Sequence, residues 1–317
     1  MSTSTWLGAL CGVALLFGAA RAEAFCRTTT CDPNNPKQKC QIDENLCVAT
    51  GTPLTWRSSC VGVTVQRLGS PGHGFSYDEI AGVVETAFGT WMQASCDGKP
   101  PSINIELMGA VECGTSEYNS DAGNANIVLF REGPWPYVGA QNALGLTTTR
   151  FDTKTGDLWD ADIELNGQDG NLSIGDPVTG DDLLSVLTHE AGHFLGLSHS
   201  TVSSATMKPV YDAARDGISF RSLAPDDVAG ICAAYPPARA VLTDSCENRH
   251  GFSEQCGDDQ PRKNESKGCS AVAHAPNRAA LGLVTLLLVC GARGVRRVKL
   301  AGGPGAARAR PKRLPRA

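Results

Sequence analysis

The chain has 317 residues, 41% of them hydrophobic and 19% charged, enough for one substantial folded domain with room for extensions. Its net charge of −5 conceals a +10 tail over residues 270–317 and an acidic remainder, which excludes a nucleic-acid partner for the folded part. Thirteen cysteines, ten of them between Cys26 and Cys256 with no CxxC pair, argue for disulfides in an oxidising compartment rather than for a cytosolic metal or redox protein.

Residues 1–24 have an apolar centre from Leu7 to Ala20 and end in Ala22-Glu23-Ala24, the pattern of a signal peptide cleaved after Ala24. A Cys-rich segment, 25–56, follows. Val61–Val65 predicts a strand. Phe75–Trp91 predicts a helix, with Ile80, Val83, Val84, Ala87, Phe88 and Trp91 on one face and Ser76 with Glu79 as a capping box. Ile103–Leu107 and Asn126–Phe130 read as further strands. Leu144–Phe151 and Asp160–Leu165 flank the turn 152–157 as a hairpin. The following stretch, 169–182, carries oxygen ligands suited to Ca²⁺. An EF-hand loop would need Gly and Glu where Ile174 and Gly180 stand, so a polar loop is expected and calcium is left open.

Residues 189–199 read HEAGHFLGLSH. His189 and His193, four apart, share one face of a helix and can share one Zn²⁺ at about 2.0–2.1 Å. Gly196 can take φ > 0 and turn the chain so that His199 becomes the third ligand. Three protein nitrogens and no fourth ligand describe a catalytic rather than a structural zinc site. Glu190, beside the first ligand, is placed to act as general base on a zinc-activated water. No serine or cysteine nucleophile is required. Downstream come Ala205-Thr206-Met207-Lys208-Pro209-Val210-Tyr211 and then Pro225-Asp226-Asp227, where Pro suits the first position of a helix and the acids suit its positive end.

An extended zinc motif followed by a methionine turn resembles the metzincin metallopeptidases, and Ser200 with the Met-x-Pro-Val-Tyr run resembles their matrixin branch, which includes the matrix metalloproteinases. Pro209, where astacins and serralysins place a zinc-binding tyrosine, argues against those branches. The resemblance implies an α+β fold: a metzincin catalytic domain with a twisted mixed sheet, two long helices and a small C-terminal subdomain ending in a helix. It implies that Met207 packs beneath the zinc, that Pro209, Val210 and Tyr211 wall the pocket for the residue after the scissile bond, and that an Asp of the 226–227 pair braces the methionine turn. It also implies that an edge strand, here Ala143–Thr148, pairs with a peptide substrate. Departures are plain. No Pro-Arg-Cys-Gly-Val segment precedes the catalytic region, and no histidine lies between His73 and His189 to bind a second, structural zinc. Lys208 stands where matrixins commonly have Tyr.

The catalytic domain is expected over 57–238 and a polar tether over 239–269. Residues 270–317 combine an apolar run, Ala279–Ala292, with nine Lys or Arg after it. With Cys269 in Gly-Cys-Ser, this end resembles the C-terminal surface-sorting signal of myxobacterial exported proteins. That implies membrane contact before processing, a sorting protease as partner and a cell-surface location; a plain single-pass transmembrane anchor is the alternative. The expected function is an exported zinc endopeptidase acting on protein or peptide. The alternatives are a surface adhesion protein on the same scaffold and a cell-wall peptide hydrolase. Disulfide pairing is not deducible from the spacing; Cys60 with Cys96, flanking the first strand and helix, is the pair singled out.

Overall fold

The structure is a computed structural model that describes residues 24–137, 140, 142–168 and 171–255. The expected signal peptide (bar Ala24), Cys256, the sorting cysteine Cys269 and the apolar, Arg-rich end lie outside the described residues. The elements in chain order are β1 (Cys26–Arg27), β2 (Cys60–Gln66), α1 (Tyr77–Met92), β3 (Asn104–Val111), β4 (Ile127–Arg131), β5 (Gly145–Phe151) and β6 (Leu158–Asn166). There follow β7 (Leu172–Ser173), β8 (Asp181–Asp182), α2 (Leu183–Phe194), β9 (Leu197–Ser198), α3 (Ala213–Asp216), a 3-10 turn (Ser219–Arg221) and α4 (Pro225–Ala234).

The fold is α+β. Five strands form one mixed sheet in the order β3-β2-β4-β6-β5. Four run parallel; β5 alone is antiparallel, paired to β6 at one edge. The reason is local: the parallel strands are joined by crossovers, whereas β5 and β6 are joined by a short turn in which Asp152 accepts from the amides of Lys154 and Thr155. All five expected strands occur: β2, β3 and β6 run longer than expected, β4 is shifted by one residue, and β5 starts one residue later.

Helices α1 and α2 cover one face of the sheet. Ser76 and Glu79 cap α1 reciprocally, worth about 1 kcal/mol. Its buried face presents Ile80, Val84, Phe88 and Trp91 to the core, where Val63, Phe130, Ile163 and Leu165 come up from the sheet. Trp91 ties the two helices: its ring is fully buried and its Nε1 donates to the carbonyl of Thr188 at 2.8 Å. Phe194 at the end of α2 packs edge-on against Phe88, at 5.0 Å between centroids. Truncating Trp91 would cost about 3–5 kcal/mol and loosen the helix that carries the histidines.

Four disulfides are formed among the described residues: Cys26–Cys47, Cys31–Cys40, Cys60–Cys246 and Cys96–Cys232. The expected Cys60–Cys96 bond is therefore corrected. Cys96 lies beyond α1 and reaches α4, while Cys60 opens β2 beside the returning C-terminal segment, with Cα–Cα distances of 5.4 and 4.5 Å. That segment is fastened rather than loose up to residue 255. The Leu242 amide donates to Arg57, Ser59 donates to Thr243, and Phe252 bridges Asn124. The Cys-rich start is likewise docked, β1 pairing with β9 immediately before His199. Among the described residues no helix is long and apolar enough to cross a membrane.

Candidate zinc site

Helix α2 begins at Asp182, whose carboxylate accepts from the Ser185 amide at 3.0 Å and its hydroxyl at 2.6 Å while pairing with Arg221. The helix thus starts at a fixed point, and its last turns carry His189, Glu190 and His193. It ends at Leu195. Gly196 then takes φ +84° with its Cα against the Leu54 carbonyl, where any Cβ would stand 2.5 Å from that oxygen. Only glycine meets both demands, and the reversal delivers His199 through β9.

Backbone carbonyls orient two of the three rings. His189 Nδ1 lies 2.7 Å from the Thr206 carbonyl and His193 Nδ1 lies 3.0 Å from that of Leu197. A carbonyl can only accept, so Nδ1 carries the proton and Nε2 is left with a free lone pair. The Nε2 atoms of His193 and His199 face each other at 3.2 Å, and ligand atoms from all three histidines lie within 4.8 Å of one another. Two nitrogens about 2.0–2.1 Å from one tetrahedral ion would stand about 3.3 Å apart, so the donor set fits zinc. Burial pushes His189 and His199 down to about 4 and lowers His193, which keeps the imidazoles neutral and ready to ligate at neutral pH. The other convergence of candidate ligands among the described residues, Cys60, Glu106 and Cys246, contains a disulfide and has no thiolate to offer.

Glu190 is 6% exposed. Burial raises its carboxyl, opposed by His193 and by a hydrogen bond from Thr147. Met207 is buried, its sulfur in the notch left by Gly192, the residue before His193 on α2. Its turn is braced from below: Asp227 accepts from the amides of Thr206 and Met207 at 2.8 and 3.0 Å and from that of Ala224 at 2.8 Å. Asp226 instead holds Ser200 Oγ at 2.6 Å.

A cleft of about 600 Å³ runs past the cluster. Its walls bring together His189, Glu190, His193 and His199 with Pro209, Val210 and Tyr211 on one side and residues 143–147 on the other. Tyr211 is anchored, donating to the Gly217 carbonyl at 2.7 Å. Several lining residues were not legible as site residues. Phe220 stacks on His189 at 6.2 Å and sits beneath Lys208, which pairs with Asp216. Val186 lies one turn before His189, and Thr28 comes from the Cys-rich segment. Val186 could have been found from helical spacing; Thr28 and Phe220 reach the cleft only through tertiary contacts. Calcium gains no support: Asp182 is committed to Ser185 and Arg221, and Asp169 and Gly170 lie outside the described residues.

Residues 131–236 match the family model for matrixins. The chain is 48% identical over 62 residues to rat stromelysin-1, covering 20% of this chain and 13% of the relative. It is 36% identical over 120 residues to rat matrilysin, 36% of this chain and 41% of the relative. Matrix metalloproteinase-C of Caenorhabditis elegans is 27% identical over 210 residues, 62% of this chain and 33% of the relative. These matches span well under two thirds of each relative's length, and they support a matrixin-like metallopeptidase region in this chain.

Proposed function

We propose that this chain is an exported, zinc-dependent endopeptidase of matrixin type, with residues 57–238 as its catalytic unit. The observation that carries the reading is the convergence of three neutral imidazoles, each with an uncommitted nitrogen, beside a buried glutamate in a cleft bordered by an edge strand. His189, His193 and His199 would hold the zinc. When bound, it supplies Lewis acidity to a water and to the scissile carbonyl.

The remaining work belongs to the chain's own groups. A peptide adds to the exposed edge of β5 by main-chain hydrogen bonds, which fixes its carbonyl over the cluster. Glu190 takes a proton from the attacking water as the water oxygen bonds to the carbonyl carbon. It returns that proton to the amine as the C–N bond breaks. Pro209, Val210 and Tyr211 wall the pocket for the side chain after that bond, and Met207 is a floor rather than a reactant. The four disulfides suit an extracellular working place. Processing near Cys269 and display at the cell surface complete the proposal.

The test is hydrolysis of unstructured proteins with and without a chelator, beside Glu190→Ala. Chelation should abolish cleavage and added zinc restore it. Glu190→Ala should keep its zinc and lose about 10³-fold in rate. Cleavage by the variant at the wild-type rate would reject the assigned base.

A further inference from the structure

The strand that borders the cleft also touches the general base. In the β5–β6 register Gly145 stands opposite Leu165 and Thr147 opposite Ile163. Cross-strand partners share a face, so residues 145 and 147 lie on the side of the sheet covered by α2. At position 145 there is no room for a side chain: a Cβ would meet Glu190 Cγ and Oε1 at 2.9 Å. Two residues on, the Thr147 hydroxyl donates to Glu190 Oε2 at 2.7 Å and lies 3.2 Å from the Glu190 main-chain carbonyl. Among the described residues Thr147 is the side-chain donor to this carboxylate.

We propose that Thr147 is a positioning residue for catalysis: with Gly145 it clamps the Glu190 carboxylate against the edge strand in the orientation that proton transfer needs. The inference rests on the reading of Glu190 as general base. A glutamate side chain has three torsions, and burial alone does not select one arrangement of its carboxylate. A short hydrogen bond from a β-branched residue, itself restricted at χ1, selects one. The absence of a side chain at 145 lets the strand approach closely enough for that bond to form. Since β5 is also the strand a substrate would pair with, one element sets both where the peptide lies and where the base points. Misplacement of a reacting group by about 1 Å can cost about 10²-fold in rate, which sets the scale of the effect.

The test compares wild type, Thr147→Val, Thr147→Ala, Thr147→Ser and Glu190→Ala on one fluorogenic peptide chosen from a wild-type cleavage screen. Zinc content, Tm and a crystal structure of Thr147→Val accompany the kinetics. Val keeps the shape and removes the donor; Ala removes both; Ser keeps the donor. We expect Val and Ala to lower kcat about 10- to 100-fold with KM within about twofold, one zinc per chain and an unchanged Tm. Ser should recover kcat to within about threefold, and the Val crystal should show the Glu190 carboxylate released from β5. Wild-type kcat in both Val and Ala, or an unmoved Glu190 in the Val crystal, overturns the clamp while leaving the protease reading intact. Equal background rates in wild type and Glu190→Ala would instead sink the protease reading and this inference with it.

Discussion

Two clusters of ionisable groups sit on opposite faces of one sheet, one opening into the cleft and one buried. On the helix side are His189, His193 and His199. On the other side Asp160, Asp162 and Glu164 alternate along β6 with the core residues Ala161, Ile163 and Leu165. Burial perturbs both clusters, taking His189 down to about 4 and Asp162 up to about 7. By perturbation alone each would count as a functional site. Their bonding separates them. Asp162 accepts from the Ile127 amide, the Ser116 hydroxyl and the Glu117 amide, and Glu164 is held by Arg131 and Tyr137. Of this cluster's buried oxygens, Asp160 Oδ1 is the one without a partner among the described residues. His189 and His193 bind the protein through Nδ1, and ligand atoms of all three histidines converge to within 4.8 Å. A structural network consumes its polar atoms; a working site leaves some of them over.

The sharpest way to break this contrast is to remove one histidine. His193→Ala should lose bound zinc and at least about 10³-fold in hydrolysis while leaving the urea midpoint of the metal-free protein nearly unchanged. Among the described residues, the hydrogen bond to the Leu197 carbonyl and the contacts with His189 and His199 are the polar and ring contacts of that side chain. Stoichiometric zinc in the variant, by elemental analysis, would mean that the cluster is not the metal site.

Asp227 lies between the two kinds. It touches no reacting atom, yet it accepts from three amides that support Met207 and α4. Asp227→Ala strands those donors in the interior, at an expected cost of about 3 kcal/mol or more by urea unfolding. Activity should fall only as far as the methionine turn shifts. A stable, fully active variant would remove the bracing role.

The histidine cluster was the easy part to read, because its spacing on a helix is sufficient to bring two ligands together, and Gly196 marks the reversal that supplies the third. The strands were legible where they are buried runs, as in β2 and β4, and the β5–β6 hairpin was legible from its turn, whereas the edge position of β5 was implied only by the family resemblance. Boundaries in β3 were short by four residues because Met108-Gly109-Ala110 has no alternation of polar and apolar side chains. Disulfide pairing was out of reach, since Cys60 and Cys246 are 186 residues apart and meet only because the C-terminal segment returns to β2. Thr147 was visible only as a residue on an expected edge. Its contact with Glu190 depends on how closely β5 packs against α2, which no local pattern encodes.

The smallest expected effect concerns Asp160, and its sign distinguishes the two faces. Burial and the nearby Asp162 push the Asp160 carboxyl well above its usual range. An acid whose pKa is raised by folding binds more protons in the folded than in the unfolded state, so it favours folding below about pH 4 and this contribution is lost as pH rises through the folded value. The histidines act in the opposite sense. His189 and His199 are held at about 4 when folded against about 6.5 when unfolded, and His193 is lowered in the same direction, so they take stability from the metal-free protein as pH falls from about 6.5 to 4. Asp160→Asn keeps the shape and removes one buried charge, so it should raise stability at pH 8, with the gain vanishing below about pH 4. The acid limb set by the histidines should not move, and neither should hydrolysis of a peptide at neutral pH. Urea midpoints of the two metal-free proteins from pH 3.5 to 9 would resolve the two limbs. A variant destabilised at pH 8 would show that the Asp160 charge is bonded to something the folded protein needs, and the outer cluster would then be a site in its own right.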